Sequence, residues 1–275
     1  MLLRRKKSAI SIIVLVLLLS IQASPFFLML VGAFKPNMAL IVAPPDINPF
    51  DGMTIANLLH VINNSDIFTW IKNSFIISFS VALITMFIAA AAGYAFSKIK
   101  FRFSGALFAV IIATMILPKQ LLLIPNYLVA DSLGLTNSYI GIILTSISAP
   151  FGIFLCRQFM QNIPGELTEA AEIDGCSELG KFIRLILPMS LPALGALGIF
   201  AFFNTYNDYL WQLIMISDKK LQTVPIGIAM FAQQHVSRIG YQLMAASIAT
   251  VPLLILFILC QKFFIKGITM GGVKG

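Results

Sequence analysis

The chain has 275 residues, of which 59% are hydrophobic and only 11% are charged, and its mean hydropathy is +0.92. Soluble domains carry about 25% charged residues, so this composition excludes an ordinary soluble protein and indicates a membrane protein. The net charge of +8 does not indicate nucleic-acid binding, because the basic residues are spread between apolar runs and form no single basic face. At roughly 20 residues a span, the length allows about six transmembrane helices with short loops.

Four basic residues, Arg4 to Lys7, precede an apolar run from about residue 9 to residue 34. The run predicts a first transmembrane span whose basic end stays in the cytoplasm. A cleaved signal peptide ending near Ala23 is the alternative, but the run is longer than the usual signal core of roughly 7–15 residues. Residues 35–70 are polar and broken by four prolines, which predicts an external loop with one short helix near residues 53–62.

The remaining apolar runs predict five more spans, at about residues 71–96, 104–129, 138–159, 188–210 and 241–259. The third span contains Pro118, followed directly by Lys119 and Gln120. A proline survives in a span where neighbouring helices or water satisfy the freed backbone groups, and a lysine at that depth should face protein, a cavity or the interface. We therefore expect either a broken helix that partly lines a solute pathway or a packing kink with a snorkelling lysine.

Three polar residues, Asn204, Asn207 and Asp208, lie near the predicted outer end of the fifth span. They either border a substrate entrance or provide the ordinary polarity of a helix end at the membrane interface. After them, residues 217–240 mix apolar and polar groups and are predicted to form a second external loop.

Residues 164–188 hold five of the eleven acidic residues and lie between two long hydrophobic runs. Pro164 suits a first helical turn, Gly175 suits a left-handed helix end, and Ser177 can cap a second short helix. By the i, i+3, i+4, i+7 spacing, one helical face holds Leu167, Ala170, Ala171 and Asp174. The two alanines on that face permit close approach of another surface. The stretch is predicted to be a docking helix for a soluble partner that supplies energy; an amphipathic segment lying on the membrane is the alternative.

The distribution of basic residues tests this topology. The predicted loops and ends on the side of residues 164–188 hold 13 of the 19 lysines and arginines, and those on the opposite side hold five. Because loops rich in lysine and arginine stay in the cytoplasm, the bias places residues 164–188 and both termini on the cytoplasmic side.

The run Glu169-Ala170-Ala171, followed by Gly175 and then Leu187-Pro188, resembles the EAA loop of ABC-transporter permeases. Leu185 is a mild departure, since the pattern expects isoleucine two positions before the Leu-Pro pair. The likeness extends to residues 147–165, residues 204–210 and the ending GITMGGVKG, which resemble carbohydrate-importer permeases of the maltose type, in particular their smaller membrane subunit. Where that group often has tryptophan, this chain has Tyr206 and Ile239. The resemblance covers residues 70–275 well and the first seventy only loosely.

The resemblance implies an all-α membrane protein with six transmembrane helices, a type I ABC importer permease-like fold and cytoplasmic N- and C-termini. Residues 1–70 would hold the N-terminus, the first span and an external loop. Residues 71–262 would form the five-helix permease core, and residues 263–275 a cytoplasmic tail. The implied location is the cytoplasmic (inner) membrane of a bacterium or archaeon, crossed several times.

The implied function is that of a permease subunit in an ATP-driven ABC importer for a sugar or oligosaccharide. Its implied partners are a second homologous permease, an ABC ATPase dimer, an extracytoplasmic sugar-binding protein and the carbohydrate, with no nucleic acid. The residues implied to couple the ATPase to transport are Glu169, Ala170, Ala171, Asp174, Gly175, Leu187 and Pro188. The candidate translocation pathway holds Lys119, Gln120, Asn204, Asn207 and Asp208. In maltose-type permeases the loop that matches residues 217–240 reaches toward the receptor, and the C-terminal tail, here Gly271 to Gly275, reaches the ATPase pair.

Motifs for catalysis are absent from the sequence, which contains no GxxxxGK[ST] phosphate loop, no GxSxG and no HExxH. We therefore predict no enzyme, no catalytic residue and no cofactor bound by this chain, with ATP held by the partner ATPase. Three cysteines without a CxxC pair predict neither a disulfide framework nor a zinc site. His60 and His235 are too few for a metal cluster and are predicted to be polar loop residues.

Two other classes of protein remain as alternatives. An ATP-independent secondary transporter or channel subunit would require inverted repeats or acidic residues buried in the membrane, and the sequence shows no convincing example of either. A membrane scaffold that transports nothing is the other alternative.

Overall fold

The computed structural model describes residues 2–36, 48, 51–147 and 149–272, with side chains described between residues 12 and 261. The described chain is mainly helical and contains no strand. The long helices are α1 (Leu2–Ala33), α3 (Ile67–Lys98), α10 (Leu191–Tyr206) and α13 (Ile239–Gly272). The shorter ones are α2 (Ala56–Asn64), α4 (Ser104–Thr114), α5 (Leu123–Ser132), α6 (Tyr139–Ser146), α7 (Ala149–Gln161), α8 (Gly165–Ile173), α9 (Glu178–Met189), α11 (Leu210–Met215) and α12 (Val224–Gln234).

Three helical segments are long and apolar enough to cross a membrane: Ile12–Ala33, Ile67–Lys98 and Ile239–Gln261. Three bent pairs of helices meet the same test when each pair is taken together. The first pair is α4 and the segment Lys119–Ser132, the second is α6 and α7, and the third is α9 and α10. The described chain therefore offers three spans, or up to six if each bent pair forms one. The prediction of six spans and of cytoplasmic termini stays a prediction.

The third predicted span is a broken helix, as one of the two sequence interpretations expected. Helix α4 ends at Thr114, and a short 3₁₀ turn, Lys119–Leu122, continues into α5. The segment Lys119–Ser132 is bent by 90° relative to α4. Pro118 lies in an extended conformation at the break, with φ −61° and ψ 126°. A proline has no N–H to continue the helical ladder, which is why the helix does not run through it.

Three other sequence predictions need correction. The fourth span was predicted as one helix over residues 138–159, yet it divides into α6 and α7, which are bent by 47°. Pro150 explains the break, because its ring would clash with the carbonyl of Ser146, where α6 ends. The fifth span was predicted as one helix over residues 188–210, yet α10 covers 191–206 and α9 precedes it across a bend of 74°. The predicted loop 217–240 contains the eleven-residue helix α12.

The chain divides into two compact units. One comprises residues 68–226 and 253–275, and its core joins α3, α7, α9 and α10. The buried members of that core are Ala89, Ala90, Tyr94, Cys156, Met160, Ile163, Ile186, Leu194 and Leu197. Helices α3 and α7 approach closely, because a Cβ added to Gly93 would lie 2.6 Å from the Cβ of Cys156. Any side chain at Gly93 would force the two helices apart.

The other unit comprises residues 1–67 and 227–252. Asn57 of α2 holds the end of α1, since its Nδ2 donates to the carbonyl oxygens of Ala33 and Lys35, each at 2.8 Å. These bonds satisfy carbonyls that a helix end would otherwise leave unpaired. Asn57 is 4% exposed, so its amide serves the packing of this unit.

His60 and His235 form a pair within this unit, which the sequence did not predict. His60 lies in α2, and its Nε2 is 3.4 Å from the Nε2 of His235, just beyond α12. The ring of Tyr241 stacks on His60 with centroids 3.9 Å apart. Burial, together with the nearby charges of His235 and Arg238, lowers the pKa of His60 below its ordinary value of 6.5.

Mild acid should therefore destabilise this protein through His60. The pKa of His60 is lower in the folded chain than in the unfolded chain. As the pH falls below 6.5, the unfolded chain therefore takes up the proton first, and the folded state loses stability relative to it. We expect the thermal midpoint in detergent to fall by a few degrees between about pH 7.5 and pH 5.5, and by less in His60→Gln. Equal pH dependence of the two proteins would contradict this role.

Candidate functional site

Residues 164–188, hereafter the EAA segment, fold as two helices joined by a left-handed turn. Helix α8 ends at Ile173, and Gly175 adopts φ +78°, as its position in the sequence predicted. The Cys176 N–H donates to the Ala171 carbonyl at 2.9 Å, which closes the helix end. The Ser177 hydroxyl accepts from the Gly180 N–H at 3.2 Å and so caps α9, again as predicted. Pro164 differs slightly from the prediction, because it lies just before the helix in an extended conformation.

Helix α8 exposes its surface. No residue of it is buried, and Glu169, Ala170 and Asp174 are all exposed, as is Gly175 after the turn. Ala171 is half-buried. Apolar side chains are exposed beside them, with Ile173 87% and Leu179 65% accessible. Contiguous exposed apolar groups with a polar rim are typical of a surface that another molecule covers.

Lys181 fastens the EAA segment together and to helix α3. Its side chain is only 6% exposed, and its Nζ lies 2.5 Å from Glu178 Oε1 and 3.1 Å from Glu172 Oε2. The other oxygen of Glu178 accepts a hydrogen bond of 2.8 Å from the hydroxyl of Tyr94 on α3. Tyr94 belongs to the buried core, with 6% exposure. The network therefore joins α8, α9 and the helical core through charged hydrogen bonds, which are stronger than neutral ones.

Leu187 and Pro188 follow a π-helical turn, Phe182–Ile186, within α9. Pro188 has no N–H to bond to the carbonyl four residues earlier, and one extra residue in the turn accommodates this loss. Ile186 is fully buried in the core, and Leu187 packs against that core. Leu187 and Pro188 thus connect the exposed segment to the apolar helices.

A second candidate site is a cavity of about 470 Å³ between helices of the same unit, hereafter the polar cavity. A neighbouring pocket of about 330 Å³ shares four of its lining residues, Lys119, Ser146, Pro150 and Asp208. The polar residues that line the cavity are Thr85, Thr114, Lys119, Ser146, Asn204, Thr205 and Asp208. Polar groups around an otherwise apolar cavity are the usual composition of a small-molecule site.

The five predicted pathway residues do not all reach this cavity. Lys119 and Asp208 line both pockets, Asn204 lines the cavity, and Gln120 lines only the neighbouring pocket. Asn207 lines neither, and its Nδ2 donates to the Phe203 carbonyl at 2.9 Å within its own helix turn. Asp208 also has a structural role, because its Oδ1 accepts from the Trp211 N–H at 3.2 Å at the start of α11.

Thr85 and Ser146 were missed by sequence reasoning. Thr85 is the one hydroxyl residue in its apolar stretch, and Ser146 directly follows Thr145 at the end of α6, and many hydroxyl residues in such runs only bond to their own helix. The signal lies in their three-dimensional placement, which brings them together with Lys119 and Asp208.

Comparison with known proteins identifies the family. Residues 86–270 match the family model described as binding-protein-dependent transport system inner membrane component. The chain belongs to this family. The match includes the whole EAA segment and most of the residues that line the polar cavity, and it confirms the resemblance seen in the sequence.

Two similar proteins are permeases named for sugar transport. The chain is 32% identical to the arabinooligosaccharides transport system permease protein AraQ of Bacillus subtilis, over 91% of this chain and 90% of that protein. It is 30% identical to the trehalose/maltose transport system permease protein MalG of Thermococcus litoralis, over 98% of both chains.

A solved structure supports the fold. The chain superposes with a TM-score of 0.81 on a chain from the crystal structure of a bacterial ABC transporter involved in the import of the acidic polysaccharide alginate. The two are 19% identical, and the match covers 94% of this chain and 97% of the other. The chain therefore has the type I ABC importer permease fold.

Removing the Lys181 charge should loosen the EAA segment. In Lys181→Met, Glu172 and Glu178 lose their shared cation, which we expect to lower the local stability of the segment. Amide hydrogen exchange in residues 165–181 should become about fivefold faster, while the core of α3 and α10 stays protected. Lys219→Met, at an exposed lysine of the same unit, serves as the control. Unchanged exchange in residues 165–181 would show that Lys181 does not hold the segment.

Proposed function

We propose that this chain is one permease subunit of an ATP-driven importer that carries a sugar or oligosaccharide across the cytoplasmic membrane of a bacterium or archaeon. It acts with a second homologous permease, a pair of ATPase subunits and an extracytoplasmic sugar-binding protein. Family membership and relatives named for arabinooligosaccharide and trehalose/maltose transport support this proposal.

The EAA segment is the proposed contact with the ATPase. The observation that carries this proposal is an exposed helix, α8, fastened through the Lys181 network to the buried Tyr94 of α3. A partner that moves α8 would therefore move α3 and the core with it. The residues proposed to form the contact and its turn are Glu169, Ala170, Ala171, Asp174 and Gly175, with Leu187 and Pro188 leading into the core.

Each of these residues has a distinct proposed role. Glu169 presents an exposed carboxylate to a basic group of the ATPase. Ala170 and Ala171 allow close packing, because neither has a side chain beyond Cβ. Gly175 permits the left-handed turn that separates the two helices.

The proposed topology has six spans, with residues 71–262 as the transporting core and both termini in the cytoplasm. Residues 263–275 form the proposed cytoplasmic tail and contact the ATPase pair; its last three residues lie outside the described structure. Residues 37–47, 49 and 50, within the proposed first external loop, and residue 148, within the fourth span, also lie outside it. Loop 217–240 is the proposed receptor contact.

The proposed mechanism requires no chemistry from this chain. The ATPase subunits bind and hydrolyse ATP, and the permease changes access by rigid-body motion of its helices. Sugar released by the receptor passes along a pathway that includes Lys119, Gln120, Asn204 and Asp208, whereas Asn207, which lines neither pocket, is left out of the proposed pathway. Family membership favours this mechanism over an ATP-independent transporter or channel.

Reconstitution of the complete importer tests the proposal directly. The chain, its second permease, the ATPase and the sugar-binding protein would be placed in proteoliposomes and supplied with labelled arabinotriose, maltose and trehalose in turn. We expect uptake of at least one of these sugars, and only when ATP and the binding protein are both present. Uptake that continues without ATP, or no ATP-driven uptake of any of the three, would contradict the proposed function.

Substitution of Gly175 should uncouple transport through backbone conformation alone. An added Cβ would meet nothing within 4 Å, but φ +78° disfavours a β-branched residue and is tolerated by asparagine. We expect Gly175→Val to lower ATP-driven uptake by about tenfold, an effect of about 1.4 kcal/mol. Gly175→Asn should retain most of it, and both variants should reach the membrane in normal amounts. Equal uptake by the two variants would remove Gly175 from the coupling role.

A further inference from the structure

We infer that the polar cavity is a solute-contact site carried by this chain itself, and that Thr85 and Ser146 bind hydroxyl groups of a neutral carbohydrate within it. The inference rests on the proposed function and adds to it the chemical class of the ligand and two residues that no comparison assigns. Three observations support it: helix breaks meet at the cavity, two hydroxyls in its wall have no hydrogen-bond partner within the described chain, and the wall holds one charge of each sign.

Three helix breaks meet at the polar cavity. Met115 and Lys119 flank the break between α4 and α5, Ser146 and Pro150 flank the break between α6 and α7, and Asp208 lies in the break between α10 and α11. In a membrane, interrupted helices are tolerated where the backbone is buried in protein or lines a water-filled cavity. Secondary transporters place binding sites at such breaks, and the same backbone chemistry applies to any membrane protein with interrupted helices. The convergence of three of them indicates a site for a polar molecule.

Two buried hydroxyls in the cavity have no hydrogen-bond partner within the described chain. Thr85 is 1% exposed, and neither its Oγ1 nor the buried Oγ of Ser146 is bonded. Hydroxyls in helices usually bond to the carbonyl four residues earlier, as Thr145 does to Gly141 at 2.6 Å and Ser190 does to Ile186 at 2.8 Å. Because an unpaired buried hydroxyl is unfavourable, these two are suited to a ligand that supplies the missing partners.

The ligand should be a neutral polyhydroxylated ring. Lys119 and Asp208 give the wall one charge of each sign, so a simple anion or cation would meet one like charge. A hydroxyl group can donate a hydrogen bond to Asp208 and accept one from Lys119. It can also donate to, or accept from, the hydroxyls of Thr85 and Ser146. The rings of Phe151 and Phe200 also line the cavity, with centroids 5.1 Å apart, and offer an apolar surface to the C–H face of a sugar.

The size of the cavity fits this class of ligand. Its volume of about 470 Å³ lies within the range of small-molecule sites, roughly 300–1,000 Å³. The neighbouring pocket, which shares Lys119 and Asp208, extends the polar surface for a longer saccharide. This chain would therefore help to select the solute, besides transmitting movement from the ATPase.

The test compares hydroxyl-deleting variants in the reconstituted importer. Thr85→Val and Ser146→Ala remove the two hydroxyls with little change of shape. Ser78→Ala is the matched control, because Ser78 is also on α3, is fully buried and has an unbonded hydroxyl, but lines neither pocket. The quantity measured is sugar imported per ATP hydrolysed, with maltose, trehalose or arabinotriose, whichever the unmodified importer carries.

We expect Thr85→Val and Ser146→Ala each to lower this ratio by about threefold to tenfold, the effect of losing one hydrogen bond to the solute. Ser78→Ala should leave it unchanged. A purely structural defect would lower uptake and ATP hydrolysis together, so the ratio would stay constant and the inference would be overturned. If uptake is driven by ATP but Thr85→Val and Ser146→Ala have the same ratio as Ser78→Ala, the inference is overturned and the proposed function stands. No ATP-driven uptake by the unmodified importer would overturn both.

Discussion

The shared ion pair of Lys181 with Glu172 and Glu178 is the constraint that holds the exposed EAA segment on the helical core. Without it, α8 would be an exposed nine-residue helix with no buried side chain of its own, too short to be stable in isolation. Lys181 fixes the position of α8 relative to α9, and the hydrogen bond from the Tyr94 hydroxyl to Glu178 joins both helices to α3. The exposed surface that we propose as the ATPase contact is thereby joined to a buried core.

Helix α3 connects the two candidate sites. Tyr94, near its end, bonds to the EAA segment, and Thr85, nine residues earlier, lines the polar cavity. At a rise of 1.5 Å per residue, the two positions are roughly 14 Å apart along one continuous helix. Close packing of α3 on α7 at Gly93 leaves little freedom between them. A displacement at one site should therefore be felt at the other without any long pathway of side chains.

The sequence predicted those features that depend on local chemistry. The left-handed turn at Gly175, the Ser177 cap and the helix break at Pro118 each follow from what one residue type allows. The long apolar runs and the EAA pattern were enough to indicate the family. By contrast, the break before Pro150 was hidden by the continuous apolar character of the run, which reads as one span.

Features that depend on distant contacts were not predictable. Tyr94 and Glu178 are 84 positions apart, and nothing in either neighbourhood marks them as partners. The pairing of His60 with His235 joins residues 175 positions apart, for the same reason. Thr85 and Ser146 look like ordinary hydroxyls in apolar runs until folding brings them to one cavity. Single-residue chemistry gives turns and caps, whereas a site is a property of the packed chain.

The most direct test of the central claim is whether the EAA segment and α3 move as one body. Spin labels would be placed at Glu166 on α8 and Phe87 on α3, both exposed, after alanine replacement of the three native cysteines. The distance between the labels would be measured by pulsed electron spin resonance in the complete importer, without nucleotide and with ATP held by vanadate. We expect the distance from Glu166 to Phe87 to stay within about 2 Å, whereas the distance from Glu166 to a label on the second permease changes. A change between Glu166 and Phe87 of about 5 Å, one helical turn, would contradict it.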